Sequence, residues 1–253
     1  MQPLDIYLDE GALDGDARFP SAGAVVVGNA NAISEQIEEL ILELSLQPDF
    51  RLEPKAGQLE SVGFHHVDDN LLAKSRFKTL LPRLDFEWLS SANLHVGDAD
   101  PYDLLPAQFE WVVGRVLQKY RGRPLHFTFE QNQRLQTQFS GIVEAAAAAT
   151  GTTLDSVSTS IGTKNDRVLS VADYCIAIST QAIKVWMDSC CDSDRLAKSF
   201  KFRDFAAIEP LCSTLFAFDL RKSVSSRAAR LSDHAYFEVT GVHATSCTDA
   251  AGA

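Results

Sequence analysis

The stretch DIYLDEG, at residues 5–11, sets the interpretation of the whole chain. Residues 6–8 are a short apolar run typical of a buried strand. The run ends directly in two carboxylates, Asp9 and Glu10. Two interpretations are open at this point: a strand that ends in an exposed turn, or a strand whose tip carries a metal site.

Strands and helices alternate along most of the chain. A second, fully apolar strand is predicted at residues 22–29, joined to the first by a hairpin-like connection. Further strands are predicted at 61–67, 84–91, 124–130 and 153–161, and helices at 31–47, 68–82, 106–123, 132–150 and 166–186. Such alternation predicts an α/β fold with a mixed central sheet flanked by helices.

The composition of the 253-residue chain limits the function classes. The net charge of −11 argues against a protein that coats nucleic acid through its overall charge, but a local basic groove is compatible with it. Basic residues cluster at 115–123, 198–203 and 221–230. No signal peptide or apolar run of membrane-spanning length is recognised, so we expect a cytoplasmic protein with no membrane contact. Five cysteines without a CxxC pair indicate a reduced protein without structural zinc.

Three acids occupy positions where a carboxylate is unusual. Asp9 ends the first strand, and Glu130 ends the strand HFTFE, whose alternation separates Thr128 and Glu130 from the phenylalanines. Asp173 interrupts an apolar helical segment, where an unpaired charge is costly. Asp166, seven residues earlier, can share that helical face. Carboxylates on rigid elements that converge on one point are the arrangement that Mg²⁺ or Mn²⁺ requires in two-metal nucleases.

Each acid also has a simpler interpretation. Asp9 and Glu10 can close a strand, Glu130 can favour the start of the next helix, and Asp173 can lie in an exposed first turn. The adjacent His65 and His66 point to opposite faces if they lie on a strand, and satisfied or exposed histidines are the more common case. Cys190 and Cys191 are interpreted as a surface loop.

Two motifs resemble a known family. DIYLDEG, together with LSVADYCIAISTQAIKVW at residues 169–186, is similar to the bacterial domain-of-unknown-function 3800 family. Its members open with a Tyr-x-Asp-Glu-Ser-Gly-like strand and carry an Ala-Asp-aromatic motif in a late helix. Here Gly11 and Ala12 replace the Ser-Gly pair. The resemblance covers residues 4–188.

The resemblance implies an RNase H-like fold with catalytic acids on a first strand, a middle strand and a last helix. Asp9, Glu130 and Asp173 match those positions as catalytic residues and metal ligands, with Glu10 and Asp166 as auxiliary acids. The implied function is a Mg²⁺- or Mn²⁺-dependent nuclease or phosphodiesterase acting on nucleic acid. The alternatives are an inactive RNase H-like binding or regulatory module of a bacterial defence or mobile-element system, and an enzyme for a small phosphorylated molecule.

The domain organisation follows from the same reading. We expect an RNase H-like domain at residues 1–190, a C-terminal appendage packed on it at 191–240, and a disordered tail at 241–253. A protein partner or a second copy of the chain is a further possible contact.

Overall fold

A computed structural model describes residues 3–11, 20–53, 56–93, 100–163, 165–188, 199–218, 227–230 and 236–240. Its strands are β1 Leu4–Gly11, β2 Ser21–Val27, β3 Phe86–Asn93, β4 Leu125–Glu130, β5 Val157–Gly162, β6 Cys212–Phe218, β7 Arg227–Arg230 and β8 Tyr236–Thr240. Its α-helices are α1 Ala30–Ser45, α2 Pro48–Arg51, α3 Ala56–Val62, α4 Leu71–Leu80, α5 Pro101–Lys119, α6 Phe139–Thr150, α7 Arg167–Asp188 and α8 Phe200–Ile208. The predicted tail at 241–253 and the pair Cys190–Cys191 lie outside the described residues.

The described strands form one mixed sheet in the order β5-β4-β1-β2-β3-β6-β8-β7. β1, β2 and β3 pair antiparallel, while β4 lies parallel to β1 and β5 lies parallel to β4. β6 adds to the other side in parallel with β3. The predicted α/β class with a mixed sheet flanked by helices is therefore confirmed.

Side-chain alternation divides the core into two layers. Ile6 and Leu8 of β1 and Phe127 and Phe129 of β4 pack in the layer formed with α5 and α6. Tyr7 projects to the opposite face, into the layer formed with α1, α4, α7 and α8. Because side chains alternate along a strand, the positions that follow Leu8 and Phe129 face α7.

Three glycines allow α7 to approach the sheet closely. A Cβ atom added at Gly11 or Gly23 would lie 2.6 Å from a side-chain carbon of Ile176. A Cβ atom at Gly162 would lie 2.8 Å from Leu169. These distances are too short for real Cβ contacts, so the absence of a side chain at each position brings α7 down onto β1, β2 and β5.

The prediction of a strand at residues 61–67 is wrong. Residues 61 and 62 end α3, and the following segment is a loop that leads to α4. Gly63 has φ +83°, a left-handed conformation that ends a helix and does not fit a strand. α4 begins at Leu71, later than the expected residue 68, and the Asn70 side chain caps it by accepting a hydrogen bond from the Ala73 N–H.

Other boundaries differ in ways that local contacts explain. α5 begins at Pro101, ahead of the expected Pro106, because the Asp100 side chain accepts a hydrogen bond from the Tyr102 N–H. α6 begins at Phe139 rather than near residue 132, because residues 133–138 form turns.

The expectation that the chain has no apolar run of membrane-spanning length is wrong for one helix. Residues Arg167–Val185 of α7 are long and apolar enough to cross a membrane, by length and composition only. In the fold, 72% of the most apolar 18-residue stretch of this helix is buried. A core helix of a folded domain can be equally long and apolar, and α7 is such a helix, since it packs between the sheet and α1.

The predicted appendage at 191–240 contributes strands to the central sheet. β6 pairs with β3 from Trp88 to Asn93, and Trp111 of α5 stacks on Phe216 of β6 with ring centroids 4.5 Å apart. In its described residues this region extends the sheet and covers part of α5.

Candidate functional site

The tips of β1 and β4 bring two of the predicted acids side by side. Leu8 pairs with Phe129 in the parallel register, so the next residues, Asp9 and Glu130, lie at the same level. Both follow positions that face the α5–α6 layer, and both therefore project toward α7. Asp9 is only 3% exposed.

Asp173 reaches this point from α7. Its neighbours Ala172 and Tyr174 are buried in the core, and Asp173 itself is partly exposed. Gly23 is the register partner of Asp9 on β2, and its missing side chain makes room for Ile176, one turn beyond Asp173. The close packing of α7 at this glycine is what brings the third carboxylate to the strand tips.

Burial, and then repulsion from neighbouring carboxylates, raises the pKa values of Asp9 and Asp173. Burial raises the pKa of Asp9 far above its usual range, and a hydrogen bond with Glu130 and the nearby charges of Glu130 and Asp173 raise it further. Burial likewise raises the pKa of Asp173 to about 6, although His65 and the His66 N–H oppose the shift. The site concentrates more negative charge than the groups around it neutralise.

Glu10 joins the same cluster from the end of β1. Burial raises its pKa to about 7, with further contributions from Glu130 and Asp173, while a hydrogen bond from the Asn132 side chain lowers it. That bond joins Asn132 Nδ2 to Glu10 Oε1. Asn132, in the turn that follows β4, is a site residue that the sequence analysis missed, since an amide in a turn carries no distinguishing pattern.

Asp166 does not join these four acids by its described contacts. It lies at the start of α7, where its side chain accepts a hydrogen bond from the Val168 N–H. Burial raises its pKa, and the carboxylate that contributes to this increase is Asp5, near the opposite end of β1 from Asp9. The structure assigns Asp166 a helix-capping contact.

The loop between α3 and α4 is fixed to α7 beside the acids. The His66 N–H donates to Asp173 Oδ2 at 2.6 Å, and the His65 N–H donates to Asp69 Oδ2 at 3.0 Å. Tyr174 donates its hydroxyl proton to the same Asp69 oxygen. Two consecutive α7 residues therefore hold this loop, and Asp69 is a second residue near the site that the sequence analysis did not identify.

The two histidines have different surroundings. The His66 ring packs edge-on against Tyr174, with centroids 5.1 Å apart, and burial lowers its pKa to about 4. His65 Nδ1 lies 3.1 Å from Asp68 Oδ2, a distance for an ion pair when the ring is protonated. His65 lines the cleft beside the acids, whereas the His66 ring packs against Tyr174 of α7.

A small solvent-open cleft lies beside Glu130 and Asp173. Its lining residues are Val62, Phe64, His65, Glu130, Leu169, Ser170 and Asp173. A second small cleft, which includes Asp69, shares Val62 and His65 with it. Two of the predicted site acids, Glu130 and Asp173, thus line the first of these clefts.

The donor set suits a hard divalent cation. Carboxylate and amide oxygens are the ligands that Mg²⁺ and Mn²⁺ prefer, and positive charge would offset the burial and repulsion that raise the pKa values of Asp9 and Asp173. Within the described ranges, no group of three or more His, Cys, Asp and Glu side chains is already spaced to hold a metal ion. An ion would therefore require these carboxylates to change position.

Two of the basic residues expected to form a local groove make their contacts away from this site. Lys119 pairs with Glu87, and Arg121 donates to the Thr150 carbonyl at the end of α6. Both lie near the end of α5, across the sheet from α7. The basic residues Lys198, Arg221 and Lys222 are outside the described residues.

Comparisons of the sequence with protein-family models and with curated proteins found no match.

Proposed function

We propose that this protein is a divalent-metal-dependent phosphodiesterase or nuclease of RNase H-like type, with Asp9, Glu130 and Asp173 as the metal ligands. The observation that carries the proposal is the convergence of these carboxyl groups, where burial and then the neighbouring charges raise the pKa values of Asp9 and Asp173. Keeping such groups together without a cation is costly, so their placement favours a cation-binding role.

The positions of the acids support the RNase H-like assignment. They lie on the first strand, on the strand parallel to it, and on the helix that follows the next strand. This agrees with the first-strand, middle-strand and late-helix pattern that the resemblance to the domain-of-unknown-function 3800 family implies.

The residues of the chain would divide the chemistry as follows. Mg²⁺ or Mn²⁺, when bound, activates water and stabilises the leaving oxygen of a phosphodiester. Asn132 holds the Glu10 side chain at the edge of the site, and the His66 N–H orients the Asp173 carboxylate. Hydrolysis adds one water across one P–O bond and gives a phosphomonoester and an alcohol, so it needs no further co-reactant.

An inactive RNase H-like binding or regulatory module is the second candidate. The observation that favours it is that no described group of side chains is already spaced for a metal ion. The net charge of −11 also disfavours strong binding of a polyanion.

Metal titration separates the two candidates. Mn²⁺ should raise the melting temperature of the wild type, since an ion that binds only the folded state stabilises it. Asp9→Asn should abolish this response and the cleavage of single- and double-stranded DNA and RNA. Asp85→Asn, which changes an exposed carboxylate before β3, is the matched control and should behave as the wild type. Absence of both metal binding and cleavage in the wild type would support the inactive module.

A further inference from the structure

We propose that the chain carries a second ligand site, for a small organic phosphate, at the end of the sheet opposite the acids. It lies in a cavity of about 270 Å³ where α5 and α6 end and β4 and β5 begin. Three features carry the proposal: the size and walls of this cavity, a fixed arginine at its edge, and the balance of charge around that arginine. None of them depends on the metal site or on hydrolysis.

The cavity is separate from the acidic site. Leu125, the first residue of β4, lines the cavity, whereas Glu130 is the last residue of the same strand. Five residue steps of about 3.3 Å place these two residues roughly 17 Å apart along the strand. Leu125 also packs in the layer formed with α5 and α6, so the cavity lies on that face of the sheet and not on the face toward α7.

The walls of the cavity combine apolar surface with a few polar groups. Leu117, Leu125 and Val157 supply apolar surface. The polar side chains are two guanidinium and three hydroxyl groups, from Arg121, Arg123, Thr152, Thr153 and Ser156. Sites for small molecules are typically ~300–1,000 Å³ with a similar mixture of groups, so this cavity suits a ligand near the lower end of that range.

Backbone hydrogen bonds hold the two turns that frame the cavity. The Leu125 N–H donates to the Ser156 carbonyl at 2.9 Å and fixes the turn before β5 to the start of β4. The Arg123 N–H donates to the Tyr120 carbonyl at 3.1 Å and closes the turn after α5, in which Gly122 has φ +81°. A ligand would therefore meet turns that are already formed.

Arg121 is fixed at the edge of this cavity. Its Nη2 donates to the Thr150 carbonyl at 3.0 Å, at the end of α6. A guanidinium group carries five N–H donors in a planar fork that matches the oxygens of a phosphate. The bond to one carbonyl orients this fork and does not exhaust its donors.

The balance of charge at this place favours an anion. The ends of α5 and α6 each contribute only about half a negative charge, carried by their last carbonyl groups. The full positive charge of Arg121 outweighs that contribution at the end of α6, and Arg123 lines the same cavity. None of the described residues that line the cavity is acidic.

Two acids lie near the cavity without lining it. Asp155 is exposed in the turn before β5. Glu87 accepts a hydrogen bond from the Tyr120 hydroxyl and pairs there with Lys119, so its charge is matched by a cation other than the two arginines. Neither acid reverses the charge of the cavity.

The two kinds of wall indicate the class of anion. The oxygens of a phosphate monoester can accept bonds from the arginine forks and from the hydroxyl groups. Its carbon part can cover Leu117 and Val157, which inorganic phosphate would leave uncovered. Phenyl phosphate has both parts and is the compound for the test.

The test is a calorimetric titration of the full chain in EDTA, so that no metal ion contributes to binding. We expect the dissociation constant of phenyl phosphate to be at least about tenfold lower than that of inorganic phosphate, because the ring buries apolar surface. Benzoate, which keeps the ring but replaces the phosphate by a carboxylate, should bind more weakly than phenyl phosphate.

Three variants locate the binding. Arg121→Met should weaken phenyl phosphate binding at least about tenfold, because it removes a charged, forked donor. Thr153→Trp fills the cavity from an exposed position and should remove most of the binding. Lys119→Met, which removes a charge at the end of α5 that does not line the cavity, is the matched control and should bind within about threefold of the wild type at 0.15 M salt. Melting temperatures check that each variant is folded.

Four results would overturn the proposal. They are no binding of phenyl phosphate by the wild type, tighter binding of benzoate, an equal loss of binding in Lys119→Met and Arg121→Met, and full binding by Thr153→Trp. If Arg121→Met does not fold, Thr153→Trp decides. Because the titrations contain no metal ion, each of these results leaves the proposed metal-dependent function standing.

Discussion

On the face of the sheet toward α5 and α6, β1 and β4 present Leu8 and Phe129, both fully buried. On the face toward α7, the next positions of the same strands are Asp9 and Glu130. The first face has aromatic packing, with Phe129 stacked on Phe139 at 4.3 Å. The second has like charges whose burial is unfavourable. The contrast indicates that packing on the apolar face stabilises the fold, whereas the clustered carboxyl groups on the acidic face destabilise it.

The largest effect should come from the apolar face. Phe129→Ala removes a ring that contacts both Phe109 and Phe139, and should lower the free energy of unfolding by about 3–5 kcal/mol. Urea unfolding followed by circular dichroism measures it. Glu130→Gln, one residue further on the opposite face, is the comparison. If it cost as much as Phe129→Ala, the proposed division between the faces would be wrong.

A somewhat smaller loss should follow from crowding the α7 face. Gly23→Ala places a Cβ atom 2.6 Å from Ile176 and should cost about 3 kcal/mol, at the upper end of typical overpacking. Gly28→Ala, where no atom lies within 4 Å of the added Cβ, is the control. Adding Ile176→Ala to Gly23→Ala should restore part of the loss in thermal unfolding. No restoration would show that the close approach of α7 is not the cause.

Removing a charge from the acidic face should increase stability. The folded-state pKa of Asp173 is about 6, above the ordinary carboxyl value, so the metal-free folded state is progressively disfavoured as the pH rises from about 4 to about 7. Asp173→Asn should therefore raise the free energy of unfolding at pH 8 by on the order of 2 kcal/mol, since a tenfold change in proton affinity corresponds to about 1.4 kcal/mol. Denaturant unfolding at pH 4 and pH 8 measures the difference.

The amide of the variant can still accept the His66 N–H hydrogen bond, so that contact is retained. The gain should shrink toward pH 4, where the wild-type group is protonated. A variant less stable than the wild type at pH 8 would contradict the view that this face carries uncompensated charge.

The smallest effect concerns the loop between α3 and α4, which lies against α7 beside the acidic face. Tyr174→Phe removes the hydroxyl that donates to Asp69 but keeps the ring against Phe77, and should cost about 1 kcal/mol. Hydrogen exchange of the His65 and His66 amides should become faster. Tyr120→Phe, which removes a hydroxyl bonded to Glu87 across the sheet, should leave those two amides unchanged.

Short-range patterns were enough to predict much of this arrangement. The alternation in HFTFE separates Glu130 from Phe129, and the apolar stripe of residues 167–185 makes Asp173 conspicuous, because each signal lies within one element. The strand prediction for residues 61–67 was wrong although apolar and polar residues alternate there as in a strand. Gly63, at φ +83°, follows the end of a helix instead.

The position of the loop between α3 and α4 depends on contacts that no local sequence pattern encodes. The Tyr174–Asp69 and His66–Asp173 bonds join residues 105 and 107 positions apart. Asp69 looks like a helix cap in sequence, and only the packing of α4 against α7 gives it a different partner. Asn132 is similar, since its contact with Glu10 spans 122 positions.

The segment between β2 and β3, which contains this loop, leaves and re-enters the sheet at one place. Val27, the last residue of β2, pairs with Phe86, the first of β3. Its two ends are therefore held one strand spacing apart, about 4.8 Å, whatever lies between them. Because each doubling of a flexible loop costs only about 0.6 kcal/mol in closure entropy, the turns between the helices of this segment can lengthen or shorten with little effect on strand pairing, provided that the core residues of α1 and α4 are kept. Evolution, or a protein engineer, could reshape those turns beside the cleft while the carboxylates stay where the strands and α7 place them.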